Sequence, residues 1–311
     1  MKLLVPDLIS NSYFPAVAAA DLGLFAAEGL EVEVELCFPV SAAYEALRRG
    51  EADFVAGSAH SALAAFPGWR GVKLLCAQAQ GMYWFLVMRA DLGLKRGQIE
   101  GLRGCTIGAA PWVEMGLRRL LREGGIDLTR DCVQIIPIPG STGGSINFGV
   151  TAAQALRDGR IDGFWANGMA AQLALLWEIG TVVLDVRRGD GPQNAFHYTF
   201  SSLATTDRVL DTAPDRAAAA IRAIVRTHAA LKSDVGLASN VGQRRFPPTE
   251  SSLIVDLIRR DLPYYDAAIS PAAIAGMVQF ARDLNLITAD IPYEDAVAAR
   301  FQDLWSATPA C

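Results

Sequence analysis

At 311 residues the chain is long enough for a large buried core and for about two domains. Half of it is apolar (51%), a fifth is charged (20%) and the formal charge is −5, which excludes a disordered chain and a basic, nucleic-acid-binding one. No apolar run reaches the length that crosses a bilayer, and the longest, at 72–77 and 83–88, are strand-sized, so membrane insertion is not expected.

Strand and helix signals alternate through the first two thirds. Residues 2–7 read as a strand and 15–28 as a helix, with Gly29 placed for a left-handed C-cap. Residues 31–38 alternate charged and apolar types with period two, which predicts a strand with one buried face. A short helix at 42–49 stops at Gly50, a strand covers 53–57 and opens into a helix at 58–65, and strands at 72–78 and 83–89 complete a first block. A second block repeats the rhythm: strand 104–109, helix 112–123 closed by Gly124 and Gly125, strand 133–138, helix 151–157, strand 161–166 leading into a helix through Trp177, and strand 181–186. Such βαβ alternation predicts an α/β fold, with parallel or mixed sheets covered by helices on both faces. From about Asp207 the signals are nearly all helical. Pro214 suits the first turn of a helix through Lys232, Ser270 and Pro271 suit the N-cap and first position of another, and a last helix covers about 294–305. Helices that follow two α/β blocks are expected to return and cover the first.

Met1 and Lys2 run straight into Leu3-Leu4-Val5 and Pro6-Asp7, without the apolar region and cleavage site of a secretory signal. The expectation is a cytoplasmic protein if the chain is native from Met1, and a periplasmic one if it is a mature form. Cys37, Cys76, Cys105, Cys132 and Cys311 are odd in number, widely spaced and without a CxxC pair, so neither a disulfide framework nor a zinc site is expected. Cys37, Cys76 and Cys105 sit in apolar strand-like runs and read as small hydrophobes, and reduced thiols lean toward the cytoplasm. No metal and no cofactor is expected.

In open α/β sheets, ligands bind beyond the carboxyl ends of the strands, where helix N-termini offer free N–H groups and partial positive charge. The loops at 10–14, 40–41, 57–60, 110–114, 140–144 and 165–168 are therefore the candidates. They nominate Asn11, Tyr13, Phe14, Ser41, Ser58, His60, Trp112, Glu114, Ser141, Thr142, Trp165 and Asn167 as ligand-binding residues. The Gly140-Ser141-Thr142-Gly143-Gly144 run suits either an anion cradle of backbone N–H groups or a flexible connector. His60, in a strand-to-helix turn, is a hydrogen-bond donor or proton carrier, whereas His197 is a fainter candidate and His228 is structural. Trp112 and Trp165, with Tyr13 and Phe14 opposite, would sandwich a ring. Asp7 and Glu114 are the carboxylates nearest the cleft, with Glu114 suited to a first helical turn on structural grounds. Asn11 and Asn167 supply amides. Trp84, Trp177 and Trp305 read as packing.

Four ordered segments carry a resemblance. They are Tyr13-Phe14-Pro15 followed by Ala20-Asp21-Leu22-Gly23-Leu24-Phe25-Ala26-Ala27-Glu28-Gly29-Leu30, then Ala46-Leu47-Arg48-Arg49-Gly50-Glu51-Ala52-Asp53, Leu102-Arg103-Gly104-Cys105-Thr106-Ile107-Gly108, and Ala155-Leu156-Arg157-Asp158-Gly159-Arg160-Ile161-Asp162-Gly163. Together the sequence resembles NMT1/THI5-like and sulfonate- or nitrate-type solute-binding proteins. The resemblance implies the type II periplasmic-binding-protein fold: two lobes joined by two crossover strands, with a ligand between them. Residues 1–88 and 191–311 would form lobe one and 89–190 lobe two. It implies a small-molecule ligand and an ABC permease as partner if the protein is exported; the helix N-termini favour an anionic group on that ligand and the aromatic residues an aromatic or heterocyclic ring. The alternative is a cytoplasmic enzyme on the same fold, a lyase, decarboxylase or dehydratase with His60 as its proton carrier. The pyrimidine synthase of thiamine biosynthesis is not matched, because Gly57 stands where its cofactor lysine would be and its cysteine-rich iron-binding run is absent.

Overall fold

The computed structural model describes residues 1–141 and 147–306. Among these the strands are β1 (Lys2–Val5), β2 (Glu33–Leu36), β3 (Phe54–Ser58), β4 (Val72–Ala79), β5 (Phe85–Arg89), β6 (Thr106–Ala109), β7 (Gln134–Ile136), β8 (Gly163–Ala166), β9 (Gly180–Asp185) and β10 (Ser201–Thr206). The α-helices are α1 (Phe14–Asp21), α2 (Leu24–Ala27), α3 (Val40–Arg48), α4 (Glu114–Glu123), α5 (Phe148–Arg157), α6 (Gly168–Leu176), α7 (Asp207–Thr212), α8 (Pro214–Ser233), α9 (Leu237–Arg245), α10 (Pro248–Asp261), α11 (Pro271–Asp283) and α12 (Tyr293–Ala296).

The strands form two five-stranded sheets, ordered β2-β1-β3-β10-β4 and β7-β6-β8-β5-β9. In each, three parallel strands are joined by βαβ connections and the remaining two are reached through an antiparallel neighbour. β10 lies antiparallel between β3 and β4, with Ser201 opposite Ser58, and β5 lies antiparallel between β8 and β9, with Phe85 opposite Ala166. The strand in that inner position therefore enters each sheet directly from the other sheet. The chain crosses between them over 80–84 and again over 186–200.

The expectation that 83–89 completes the first block is corrected: Phe85–Arg89 belongs to the second sheet. An apolar run buried on both faces has no alternation to say which sheet it joins. The first sheet is thus built from strands within 2–79 and 201–206, and the second from strands within 85–185. The strand β10, all six residues of which are buried, falls where no strand was expected. Its Ser-Ser-Leu-Ala-Thr-Thr sequence reads as polar, yet Ser201 and Thr205 hydrogen-bond Ser12 O and Asp53 O at 2.7 Å, so their hydroxyls are satisfied inside the sheet. The helix expected over 15–28 is two, broken where Gly23 takes φ 71°. Where a helix was expected over 58–65, Ala59–Ala64 forms a 3₁₀ helix. The last expected helix, 294–305, is also broken, because Val297 extends to bridge Leu74.

The return segment does cover the first sheet. Pro214 occupies the first turn of α8, whose Ile221, Ile224 and Leu231 are fully buried on one face. Each such side chain contributes about 1.5–3 kcal/mol by leaving water. The main apolar cluster runs without interruption from Leu3 and Phe14 beside the first sheet, through Trp84, to Phe164 and Trp165 in the second.

Candidate functional site

The carboxyl ends of the two sheets face each other across a small cavity. Pro6 and Asp7 follow β1, Ser10 and Tyr13 lie in the turn into α1, and Phe38 and Val40 lead into α3. Trp84 comes from the first crossover. From the other side come Ala110 and Val113 after β6, Phe148 at the start of α5, Ala166 at the end of β8 and Asn167 after it. The cavity measures about 30 Å³, room for a water molecule rather than a metabolite. The lobes are closed.

Three contacts hold that closure at the cavity. Asp7 Oδ2 accepts from Gly149 N–H at 2.9 Å and from Asn167 Nδ2 at 2.8 Å, both across the cleft, while Oδ1 accepts from Ile9 N–H at 3.0 Å. Phe38 stacks on Phe148 with ring centres 5.5 Å apart. His60 Nε2 lies 3.0 Å from Trp112 O, and its Nδ1 lies 2.9 Å from Thr199 Oγ1. A carbonyl oxygen only accepts, so Nε2 carries the proton and Nδ1 accepts from the threonine hydroxyl. A little farther out, Arg119 on α4 pairs with Asp283 on α11 at 2.8 Å.

Burial dominates the ionisation of these groups. It pushes the Asp7 carboxyl up to about 6, against the lowering effect of its three donors. The same desolvation pulls His60 down to about 4, which keeps the ring neutral near pH 7. Burial also raises the carboxyl of Glu114, the first residue of α4, and leaves its Oε2 without a partner.

Of the residues nominated from the sequence, Tyr13 and Asn167 line the cavity. Tyr13 shares a 2.7 Å hydrogen bond with Tyr83, and Asn167 caps α6 by accepting from Ala170 N–H. His60 and half-buried Trp112 meet at the seam between the lobes, their rings 6.3 Å apart, one layer behind Trp84. Ser58 is buried beside them and bonds Ser61 at 2.6 Å. Trp165 is fully buried, with its indole N–H on Val113 O at 3.2 Å, so it supports the cavity wall and does not face it. Phe14 packs edge-on against Phe246 in the core of the first lobe. Asn11 is buried next to Gly168, outside the cavity lining, and donates to Asp261. Ser41 is half-buried in the first turn of α3, and Ser141 turns its hydroxyl to Ile138 O at 2.7 Å. Thr142, with most of the 140–144 glycine-rich run, lies outside the described residues. His197 is half-buried beside Phe196, and His228 is buried in α8 with Nε2 2.9 Å from Gln78 O.

Phe38, Trp84 and Phe148 were not nominated, although they form most of the ring-bearing lining. Phe38 and Phe148 each stand at or next to a helix start, a signal that was readable. Trp84 lay hidden in an apolar run assigned to a core strand.

Gly149 is the tightest point of the latch. A Cβ there would come within 2.6 Å of Asn167 Oδ1. Gly149→Ala is therefore expected to displace the Asn167 amide from Asp7 and open the cleft, with little change in overall stability because alanine favours the helix. Small-angle scattering should show a larger radius of gyration for the variant, and an unchanged profile would mean that the latch does not hold the closed form.

The two crossovers are tied together by Arg187. Its Nε donates to Gln80 O at 2.9 Å, its Nη1 to Asp261 at 3.2 Å, and its guanidinium stacks over Tyr264 at 4.6 Å. Tyr264 returns a hydrogen bond to Arg187 O at 2.8 Å. Among the described residues no three His, Cys, Asp or Glu side chains are grouped to hold a metal ion, and no helix is long and apolar enough to cross a membrane.

A family model described as NMT1/THI5 like matches residues 10–234. No curated protein matches the chain. Among solved structures, a protein of Bordetella bronchiseptica RB50 superposes with a TM-score of 0.76 at 18% identity, over 97% of this chain and 95% of that one. The alkanesulfonate-binding protein SsuA from Xanthomonas axonopodis pv. citri, bound to MOPS, gives 0.69 at 12% identity, over 97% and 96%. A cysteine-to-serine mutant of DszB in complex with biphenyl-2-sulfinic acid gives 0.63 at 15% identity, over 97% of each chain, and DszB is a desulfurization enzyme. At such identities the likeness is one of fold, and that fold is the two-lobed one expected.

Proposed function

The chain belongs to the NMT1/THI5-like family, and from that premise we propose that it is a solute-binding protein whose lobes, 1–79 with 201–306 and 85–185, close on one small organic molecule. The observation that carries this reading is the meeting of both lobes' strand ends at one cavity, with Asp7, Tyr13 and Asn167 as polar groups and Phe38, Trp84 and Phe148 as rings. The rings match a planar aromatic or heterocyclic ligand. An acidic group on that ligand, which the name of the sulfonate-binding neighbour favours, is assigned to the N-terminus of α3, where Val40 lines the cavity and Ser41 follows. On this reading the protein works on the outer side of a membrane and hands its ligand to an ABC permease.

The enzyme alternative is weaker. A shared fold does not decide between carrier and catalyst, since the site does that. His60, held neutral with both ring nitrogens engaged, suits a fixed hydrogen-bond donor better than a proton carrier.

Native mass spectrometry of the protein purified from its own host tests the proposal. The expected result is one intact small molecule, released on denaturation and unchanged after long incubation. A compound consumed during incubation, with its loss abolished by His60→Ala, would make the protein an enzyme instead.

A further inference from the structure

Arg119 makes a charged contact between the lobes that the solute-binding reading leaves unused. It stands on α4, in the second lobe, and its Nη2 lies 2.8 Å from Asp283 Oδ2 on α11, in the first. Among the described residues this is the ion pair that joins a helix of one lobe to a helix of the other. The same Nη2 also lies 2.5 Å from Glu123 Oε1, one turn along α4. Asp283 has a second partner too, because Gln279 Nε2, one turn back on α11, donates to its Oδ1 at 2.8 Å. Arg282, the next cation on α11, is taken by Asp290 at 2.6 Å.

These resident partners make the contact across the seam reversible. When the lobes part, Arg119 keeps Glu123 and Asp283 keeps Gln279, so neither charge is stranded. The other closing contacts are of a different kind: Asp7 on Gly149 and Asn167, Phe38 on Phe148, and His60 on Trp112 O are short-ranged and sit where dissolved ions barely reach. Arg119, Glu123 and Asp283 are 20%, 21% and 25% exposed, so ions in the solvent do screen this pair. Closing also has a cost here, since Arg119 Nε is buried without a partner in the closed form. An attraction that salt weakens, opposed by a cost that salt leaves alone, makes a poised contact rather than a permanent one.

Resting on the lobe opening that the solute-binding reading requires, and on nothing about the ligand, we infer that Arg119 is a clasp between the lobes. It holds Glu123 at all times and Asp283 only when the cleft shuts, so the ionic strength around the protein sets how far the empty lobes stay together. Glu123 is then a competitor, the partner to which Arg119 returns on opening.

Amide hydrogen exchange of the whole chain, followed by NMR, tests this. Gly149 N–H reports opening, because in the first turn of α5 its acceptor is Asp7 across the cleft. Ile224, fully buried in the middle of α8, reports global unfolding, and Gly149 is expected to exchange well before it. Arg119→Gln and Asp283→Asn should each speed exchange at Gly149 about two- to five-fold, and the double variant should be no faster than either single one. In the unaltered protein exchange should quicken by a similar factor between about 20 and about 500 mM salt, a dependence that flattens in both variants. Glu123→Gln should act the other way and slow exchange, because Arg119 then has only Asp283 to pair with. Variants that match the unaltered protein at both salt levels overturn the inference and leave the motion of the lobes standing, as does Glu123→Gln shifting exchange in the same direction as Arg119→Gln. Exchange at Gly149 no faster than at Ile224 overturns it as well, and takes with it the opening on which the solute-binding reading depends.

Discussion

Replacing Arg187 with alanine is expected to lower stability by about 3–5 kcal/mol, the usual result of removing one partner of a buried ion pair. Arg187 is 4% exposed and Asp261 2%, so the carboxylate left behind has no access to water. Asn11 also donates to Asp261 and Arg260 Nε lies 3.4 Å from its Oδ1, but that contact is long and made by a 38% exposed side chain, so it does not replace the buried guanidinium of Arg187. The loss extends beyond the pair, because Arg187 joins Gln80 in the first crossover to Tyr264 after α10. Urea unfolding followed by tryptophan fluorescence should show the midpoint falling. A double substitution, Arg187→Met with Asp261→Leu, should recover most of the loss, since a well-packed apolar pair often equals a buried ionic one. A single-variant loss below about 1 kcal/mol would show that water reaches Asp261 and that Arg187 does not tie the two crossovers.

Acid is expected to destabilise the protein as the pH falls from about 6.5 toward 4. Burial lowers both His60 and His228 from 6.5 to about 4. In the folded state they bind fewer protons than in the unfolded state, so stability is complete above 6.5 and is lost as the pH falls toward 4. Each shift of this size is worth about 3 kcal/mol. Asp7 acts in the opposite sense, since its carboxyl is raised from 3.8 to about 6 and protonation there favours the folded form by about 3 kcal/mol. The two histidines outweigh Asp7, while Glu114 and Asp185, also raised by burial, act in its sense and trim the loss. The net expectation is a fall of at most about 3 kcal/mol between pH 6.5 and 4. Thermal melts at half-unit intervals should reveal it, with His228→Gln flattening the lower half of the curve. A Tm that holds or rises through that range would refute the burial assigned to the two rings.

Much of the fold was legible because its punctuation is local. Gly29 takes φ 79° at the turn after α2, Pro214 and Pro271 open their helices, and Ser270 Oγ accepts from Ala273 N–H as an N-cap does. What was not legible depends on distant partners. The sheet that Phe85–Arg89 joins is decided by β8 and β9, more than seventy residues onward, and nothing in Phe-Leu-Val-Met-Arg names them. The hydroxyl-rich strand β10 is stable only because Ser12 and Asp53 supply carbonyl partners from elsewhere in the chain. The site divides in the same way. Tyr13 and Asn167 follow from their place after strands. Asp7 was weighed only as a nearby carboxylate, because its importance comes from Gly149 and Asn167 reaching it across the cleft. Phe14 and Trp165 stand one position from cavity residues, and the alternating pleat or the helical turn aims them into the core instead.

The insertion of β10 between β3 and β4 gives the two lobes different histories during synthesis. All five strands of the second sheet lie within one continuous stretch, complete once residue 185 has left the ribosome. The first sheet began earlier but stays split, with β3 and β4 unjoined, until residue 206 emerges. Translation thus finishes the later lobe first. Until then the nascent chain carries two open strand edges, and it is in this interval that chaperones have the most to shield.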